Sequence, residues 1–211
     1  MRKDYSLPVM TEMHSQDDQR LRHDHAEIGE LLSQLIATIE SNDVTRIYAT
    51  LDLFWARLAV HIRAEHLHLF EAILRAINRN ASTSRNDAPT RTEAQRTIEE
   101  LHDDHDFFMR ELSQTVAVVR GILANPKADA AKELRYVLER IDAVQERLIK
   151  HNEKEEKGIY DWVNGLLSEA ERTDLAERLA KHDGSFKRLV YAPQFVARTR
   201  SEARPPLTCD R

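Results

Sequence analysis

The chain has 211 residues, with 31 Lys and Arg against 36 Asp and Glu and a formal net charge of −5, a balance that gives no reason to expect nucleic acid or a membrane surface as a partner. Its single cysteine, Cys209, excludes an intramolecular disulfide and cysteine-based zinc or iron–sulfur ligation. With only 5 Gly and 6 Pro, placed at the ends or in connections, the composition excludes an all-β fold and suits long helices. No run reaches the roughly 18 apolar residues of a membrane span. The opening MRKDYSLPVMTEMHSQDDQR lacks the apolar centre of a secretion signal, so a cytoplasmic setting is expected.

Residues 1–14 read as an N-terminal extension. The first helical stripe starts near Ser15 and runs through Leu21, His25, Ile28, Leu32, Leu35 and Ile39 in steps of three and four. Ser41-Asn42-Asp43 breaks it and can cap the next. The second stripe runs through Ile47, Leu51, Phe54, Leu58, His61, Glu65, Leu69 and Ile73, and the polar stretch Asn78–Pro89 reads as a loop. Thr90 and Glu93 form a capping-box pattern that opens the third stripe, Ile98, Leu101, His105, Phe108 or Met109, Leu112, Val116 and Val119. Gly121 and Pro126 lie near its end. The fourth runs through Leu134, Val137, Ile141, Val144, Leu148, His151, Glu155, Ile159 and Trp162. Ser168 and Glu171 cap a short fifth helix with Gly184 as its stop. The tail 185–211 has no helical period. The expected fold is all-α: an antiparallel up-down-up-down bundle over 15–165, a short extra helix over 166–184 and an irregular tail.

His61-Ile-Arg-Ala-Glu65 and His151-Asn-Glu-Lys-Glu155 repeat one signature. Residues i and i+4 share a helix face, so each motif presents an imidazole and a carboxylate one turn apart. His25, His61, Glu65, His105, His151 and Glu155 all stand in apolar stripes where a packed bundle takes Leu or Ile. Burying such groups without partners costs several kcal/mol each. A shared cation explains all six. Antiparallel connections place His25 level with His61, and His105 level with His151. The inventory suits two metals, each with two imidazoles, bridged by the two carboxylates, with positions left for a small molecule. Iron suits these donors; zinc, manganese or cobalt can enter the same set. The motif differs from the Glu-x-x-His of ferritin-like di-iron bundles.

At these residues the chain resembles the hemerythrin-like (HHE cation-binding) domains. The matching segments are Asp24-His25-Ala-Glu-Ile28, His61 to Phe70, Asp104-His105 to Leu112, and His151 to Tyr160, and the resemblance covers about 15–165. It implies a non-haem di-iron centre with an oxo or hydroxo bridge, binding or reacting with O2, NO or peroxide in sensing or a stress response. Oxygen-carrying members have five histidines, with a pair four apart on the third helix, and an Asp five residues after the fourth-helix His. This chain has His102 and His105, three apart, and Glu155 four after His151. That is closer to the four-His, two-Glu type of iron-centre repair proteins, though without the Cys-containing domain that accompanies them. The second motif also continues Glu65-His66 where the family usually has Glu-Glu.

For His102, ligation, an outer hydrogen bond and solvation stay open. His23 competes with His25, and the stripe favours His25. His14, His66 and His182 read as solvated, and His68 as surface or as orienting Glu65. Tyr160 reads as core, with a hydrogen bond near the metals as the alternative; Trp55, Trp162, Tyr48 and Phe54 read as packing. The tail arginines Arg188, Arg198, Arg200 and Arg204 read as solvated. The same tail is where an iron- or redox-responsive interaction protein would meet a protein partner, the reading of a different class.

Overall fold

The computed structural model describes residues 16–80, 89–125 and 130–190, with side chains over 22–79, 89–125 and 130–181. The expected N-terminal extension with His14, most of the 78–89 loop, Pro126, the side chains of His182 and Arg188, and the tail from 191 lie outside the described residues. Five helices and no strand make up what is described. Helix α1 is Gln16–Glu40. Helix α2 runs Val44–Ala64, passes through one π turn at Glu65–Leu69 and continues as Phe70–Asn80. Helix α3 is Arg91–Ala124. Helix α4 runs Ala130–Lys154, passes a π turn at Glu155–Ile159 and continues as Tyr160–Leu166. Helix α5 is Glu169–Val190.

The capping signals act as their chemistry requires. Asp43 accepts the Arg46 amide at 3.1 Å and opens α2, while Asn42 takes the left-handed conformation (φ 58°) that lets α1 turn into it. Thr90 Oγ1 accepts the Glu93 amide at 3.1 Å to open α3. At α5 the box is reciprocal: the Ser168 amide donates to Glu171 Oε2 at 2.9 Å, and the Glu171 amide donates to Ser168 Oγ at 3.4 Å.

Two boundaries differ from the sequence reading. Helix α2 continues through Asn78 to Asn80, so the loop starts later. Helix α5 does not stop at Gly184 but runs to Val190. A glycine ends a helix by taking a left-handed conformation, and no described glycine has positive φ. Its cost inside a helix, about 1 kcal/mol relative to Ala, is too small to break one.

Helix α1 packs on α2 and α4, and α3 packs on α2 and α4, which closes the antiparallel ring of four. Helix α5 lies across α1 and α2. The core is split in two. One apolar cluster, with Leu35, Phe54, Leu112 and Val144, fills the half toward the α1–α2 turn. The other, with Leu69, Phe70, Leu101, Tyr160 and Leu175, fills the opposite half and takes in α5. Between them lies a buried layer of His25, His61, Glu65, His105, His151 and Glu155. No helix among the described residues is long and apolar enough to cross a membrane.

Candidate metal centre

Each π turn begins at a layer carboxylate. The Phe70 amide bonds the Glu65 carbonyl, and the Tyr160 amide bonds the Glu155 carbonyl, each five residues back. One wider turn puts both following residues in the core: Leu69 with Phe70, and Ile159 with Tyr160 are all buried. It also shifts the stripe, so that Val163 is buried and Trp162 sits at the edge of the cluster. Single π turns inside α-helices occur frequently at functional sites.

The six sequence-derived candidates meet. Donor atoms of His25, His61, Glu65 and Glu155 lie within 4.8 Å of one another, as do those of Glu65, His105, His151 and Glu155. All four histidines turn Nε2 inward. Glu65 spans the two groups, with Oε1 3.0 Å from His61 Nε2 and Oε2 3.2 Å from His105 Nε2. Glu155 does the same, with Oε2 3.2 Å from His25 Nε2 and Oε1 3.4 Å from His151 Nε2. Both carboxylates are fully buried.

These residues fit cations. His61 Nε2 and all four oxygens of Glu65 and Glu155 are buried without a hydrogen-bond partner, a costly arrangement for a bare protein. Donors bound at about 2.0–2.2 Å to one transition-metal ion sit roughly 3 Å apart, which matches the 3.0–3.4 Å separations above and the 3.1 Å between His105 Nε2 and His151 Nε2.

The outward Nδ1 atoms are also held. His61 Nδ1 meets Asp24 Oδ2 at 2.7 Å, and His151 Nδ1 meets Asp104 Oδ2 at 3.3 Å. His25 Nδ1 meets Glu156 Oε1 at 3.1 Å, and His105 Nδ1 meets His66 Nε2 at 2.7 Å. Arg57 pairs with Asp24, and Arg147 Nε lies 2.6 Å from Asp104 Oδ1. Such partners fix the tautomer that leaves Nε2 free for a metal.

Sequence reasoning missed this outer ring. The signal was present: Arg57 and Arg147 stand four residues before His61 and His151, so the repeat is Arg-x-x-x-His-x-x-x-Glu. Asp24 and Asp104 each precede a layer histidine, yet each serves the histidine of the neighbouring helix. His66, read as solvated, is exposed, and its Nε2 also reaches His105 Nδ1 at 2.7 Å. His102 is not gathered with the six; its ring packs on His66 with centroids 4.2 Å apart. His23 is exposed and pairs with Glu27 at 3.3 Å. His68 lines a cavity between α2 and α5 with Arg75 and Arg178. Tyr160 is both core and hydrogen-bonded, its hydroxyl 3.0 Å from His25 Nε2.

The electrostatics follow from this packing. Burial opposes charging of His25, but the nearby carboxylates of Glu155 and Glu156 outweigh it and raise its pKa. Burial likewise opposes charging of His61, and the Glu65 charge outweighs it. Burial would raise Glu65, yet His61 and His105 hold it well below the usual carboxylate range. Burial also acts against Asp104, but His151 and Arg147 bring it down to about 2. Burial and the surrounding carboxylates push the Tyr160 phenol well above 10.

A helical bundle whose mid-layer gathers imidazoles and carboxylates from four helices defines a cation-binding four-helix protein. Residues 16–163, more than two thirds of the chain, match the family model of the hemerythrin HHE cation-binding domain, and the chain belongs to that family. No curated protein and no solved structure matches it.

Proposed function

We propose that the chain holds two iron ions with an oxygen bridge and uses them to bind or react with O2, NO or peroxide. The observation that carries this reading is the pair of buried carboxylates, each facing a histidine of both groups with its oxygens otherwise unpartnered. His25 and His61 would hold one ion, His105 and His151 the other, and Glu65 and Glu155 both. Bound there, iron would supply one-electron redox chemistry and open positions for a small molecule. Zinc or manganese can occupy the same donors in vitro.

The protein's own groups set the conditions. Asp24, Asp104, Glu156 and His66 orient the four imidazoles. Phe108 and Phe70 flank His151 and His105, with centroids 5.4 Å and 6.1 Å away, and keep water from that side. Tyr160 keeps its proton at Oη over the whole working range, held 3.0 Å from His25 Nε2.

Metal analysis tests the assignment. The iron-loaded protein should carry about two ions per chain, as the donor inventory implies, and His61→Ala and His151→Ala should each carry fewer. Undiminished iron in both variants would refute it. Spectra during exposure to oxygen then separate the chemistries. A band that reverses on degassing identifies a binding or sensing protein; irreversible oxidation with peroxide turnover identifies an enzyme.

A further inference from the structure

The centre has an internal pseudo-twofold that relates α1–α2 to α3–α4, and three positions break it. His25 and His105 are equivalent, as are the repeated motifs on α2 and α4. Around His25 stand Arg22 three residues before it, Glu156 after the motif, and Tyr160. The equivalent positions around His105 hold His102, His66 and Phe70. The contacts are equivalent too. Glu156 Oε1 lies 3.1 Å from His25 Nδ1, and His66 Nε2 lies 2.7 Å from His105 Nδ1. Arg22 Nη1 pairs with Glu156 Oε2 at 2.5 Å, and His102 packs its ring on His66. Tyr160 stacks on His25 and Phe70 on His105, at interplanar angles of 27° and 16°.

The exchange is one of charge. A carboxylate that accepts the outer N–H of an imidazole makes the inner nitrogen a stronger donor. An imidazole acceptor carries no negative charge and does this less. The group of His25 and His61 is backed by two carboxylates, Glu156 and Asp24. The group of His105 and His151 is backed by one, Asp104, at the longer distance of 3.3 Å, and Lys154 Nζ stands 3.8 Å from that same carboxylate. Cations stand behind both groups, Arg22 on Glu156 and Arg57 on Asp24, Arg147 and Lys154 on Asp104, so the difference that remains is the carboxylate missing behind His105. A further contact opposes this order. The Tyr160 hydroxyl occupies His25 Nε2, but a single neutral hydrogen bond amounts to about fivefold in a binding constant, less than the outer carboxylates supply.

We propose, resting on the di-metal reading above, that His66 makes the two metal positions unequal: the first ion seats between His25 and His61, and the His105–His151 position is the weaker, exchangeable one. At limiting metal the chain then holds a single ion, and the pair assembles only as supply rises.

The test is a titration of the metal-free full chain with Co2+, read by calorimetry, with crystals grown at one equivalent. The expected result is two steps whose dissociation constants differ at least tenfold, with the cobalt anomalous peak at one equivalent lying between His25 and His61. His66→Glu should tighten the second step by about 10–100-fold, the usual size of an outer-partner effect, and leave the first nearly unchanged. Glu156→Gln should weaken the first step and narrow the gap, so the idea stays testable if the first variant does not fold. Equal constants, a first ion between His105 and His151, or an unchanged gap in the folded variants overturns it. A total below two ions per wild-type chain instead removes the di-metal reading, and the inference with it.

Discussion

Asp24→Asn removes one charge from a half-buried chain of contacts while keeping the side chain's shape. Asp24 bridges Arg57 and His61 Nδ1, the latter at 2.7 Å, and Arg57 is only 3% exposed. Two effects follow. His61 loses the anion behind it, which should lower metal affinity about 10–100-fold, or about 1.4–2.8 kcal/mol. Arg57 also loses its nearest carboxylate but keeps Glu27 at 3.2 Å. That limits the cost to the metal-free protein to about 1.5–3 kcal/mol, the size of one hydrogen bond to a charged group. Asp104→Asn is the internal control. Its histidine contact is longer, 3.3 Å, and the Arg147 side chain is 40% exposed. Its affinity loss should sit near tenfold and its stability loss within about 1 kcal/mol. Co2+ titration and urea unfolding of both metal-free variants measure the four quantities. If Asp104→Asn costs as much as Asp24→Asn, or if neither alters metal affinity, the outer carboxylates do not act as argued.

Glu65→Gln removes a carboxylate shared by both metal groups, so elemental analysis should show loss at both positions, whereas His25→Ala should spare the ion at His105 and His151; selective loss in Glu65→Gln would contradict the bridging role. The metal-free protein should be most stable in mildly acidic solution. The raised pKa values of His25 and His61 contribute stability that is full below 6.5 and lost as pH climbs through the raised values. The depressed Glu65 contributes stability that is full above 4.5 and lost as pH falls through its lowered value. Urea midpoints should therefore peak between pH 4.5 and 6.5, and a midpoint rising steadily to pH 8 would count against buried imidazolium–carboxylate pairing. Leu35→Ala, fully buried in the cluster away from the centre, should cost about 2–5 kcal/mol with the metal count unchanged; a lost ion would mean that the two halves of the core are not independent.

The all-α architecture was legible because the stripes through Leu35, Leu51, Leu112 and Val144 repeat at a helical period, and because Asp43, Thr90 and Ser168 carry caps whose chemistry is local. The six-residue centre was legible for the same reason. A polar residue inside an apolar stripe is a one-dimensional signal, and antiparallel packing brings such signals level. The end of α5 was not legible, since a glycine stops a helix only when its backbone turns left-handed.

The outer partners needed the tertiary structure. Asp24 precedes His25 yet holds His61, and Asp104 precedes His105 yet holds His151, because neighbours in sequence diverge by about 100° around a helix and face different neighbouring helices. The π turns after Glu65 and Glu155 shift the phase of everything beyond them, and no composition rule marks them. His66 shows the division most clearly. Its sequence shows only that an imidazole follows Glu65 where the fourth helix has a carboxylate after Glu155. That it grips His105, as Glu156 grips His25, is decided by the packing of α2 against α3, and the proposed inequality between two metal positions rests on that packing.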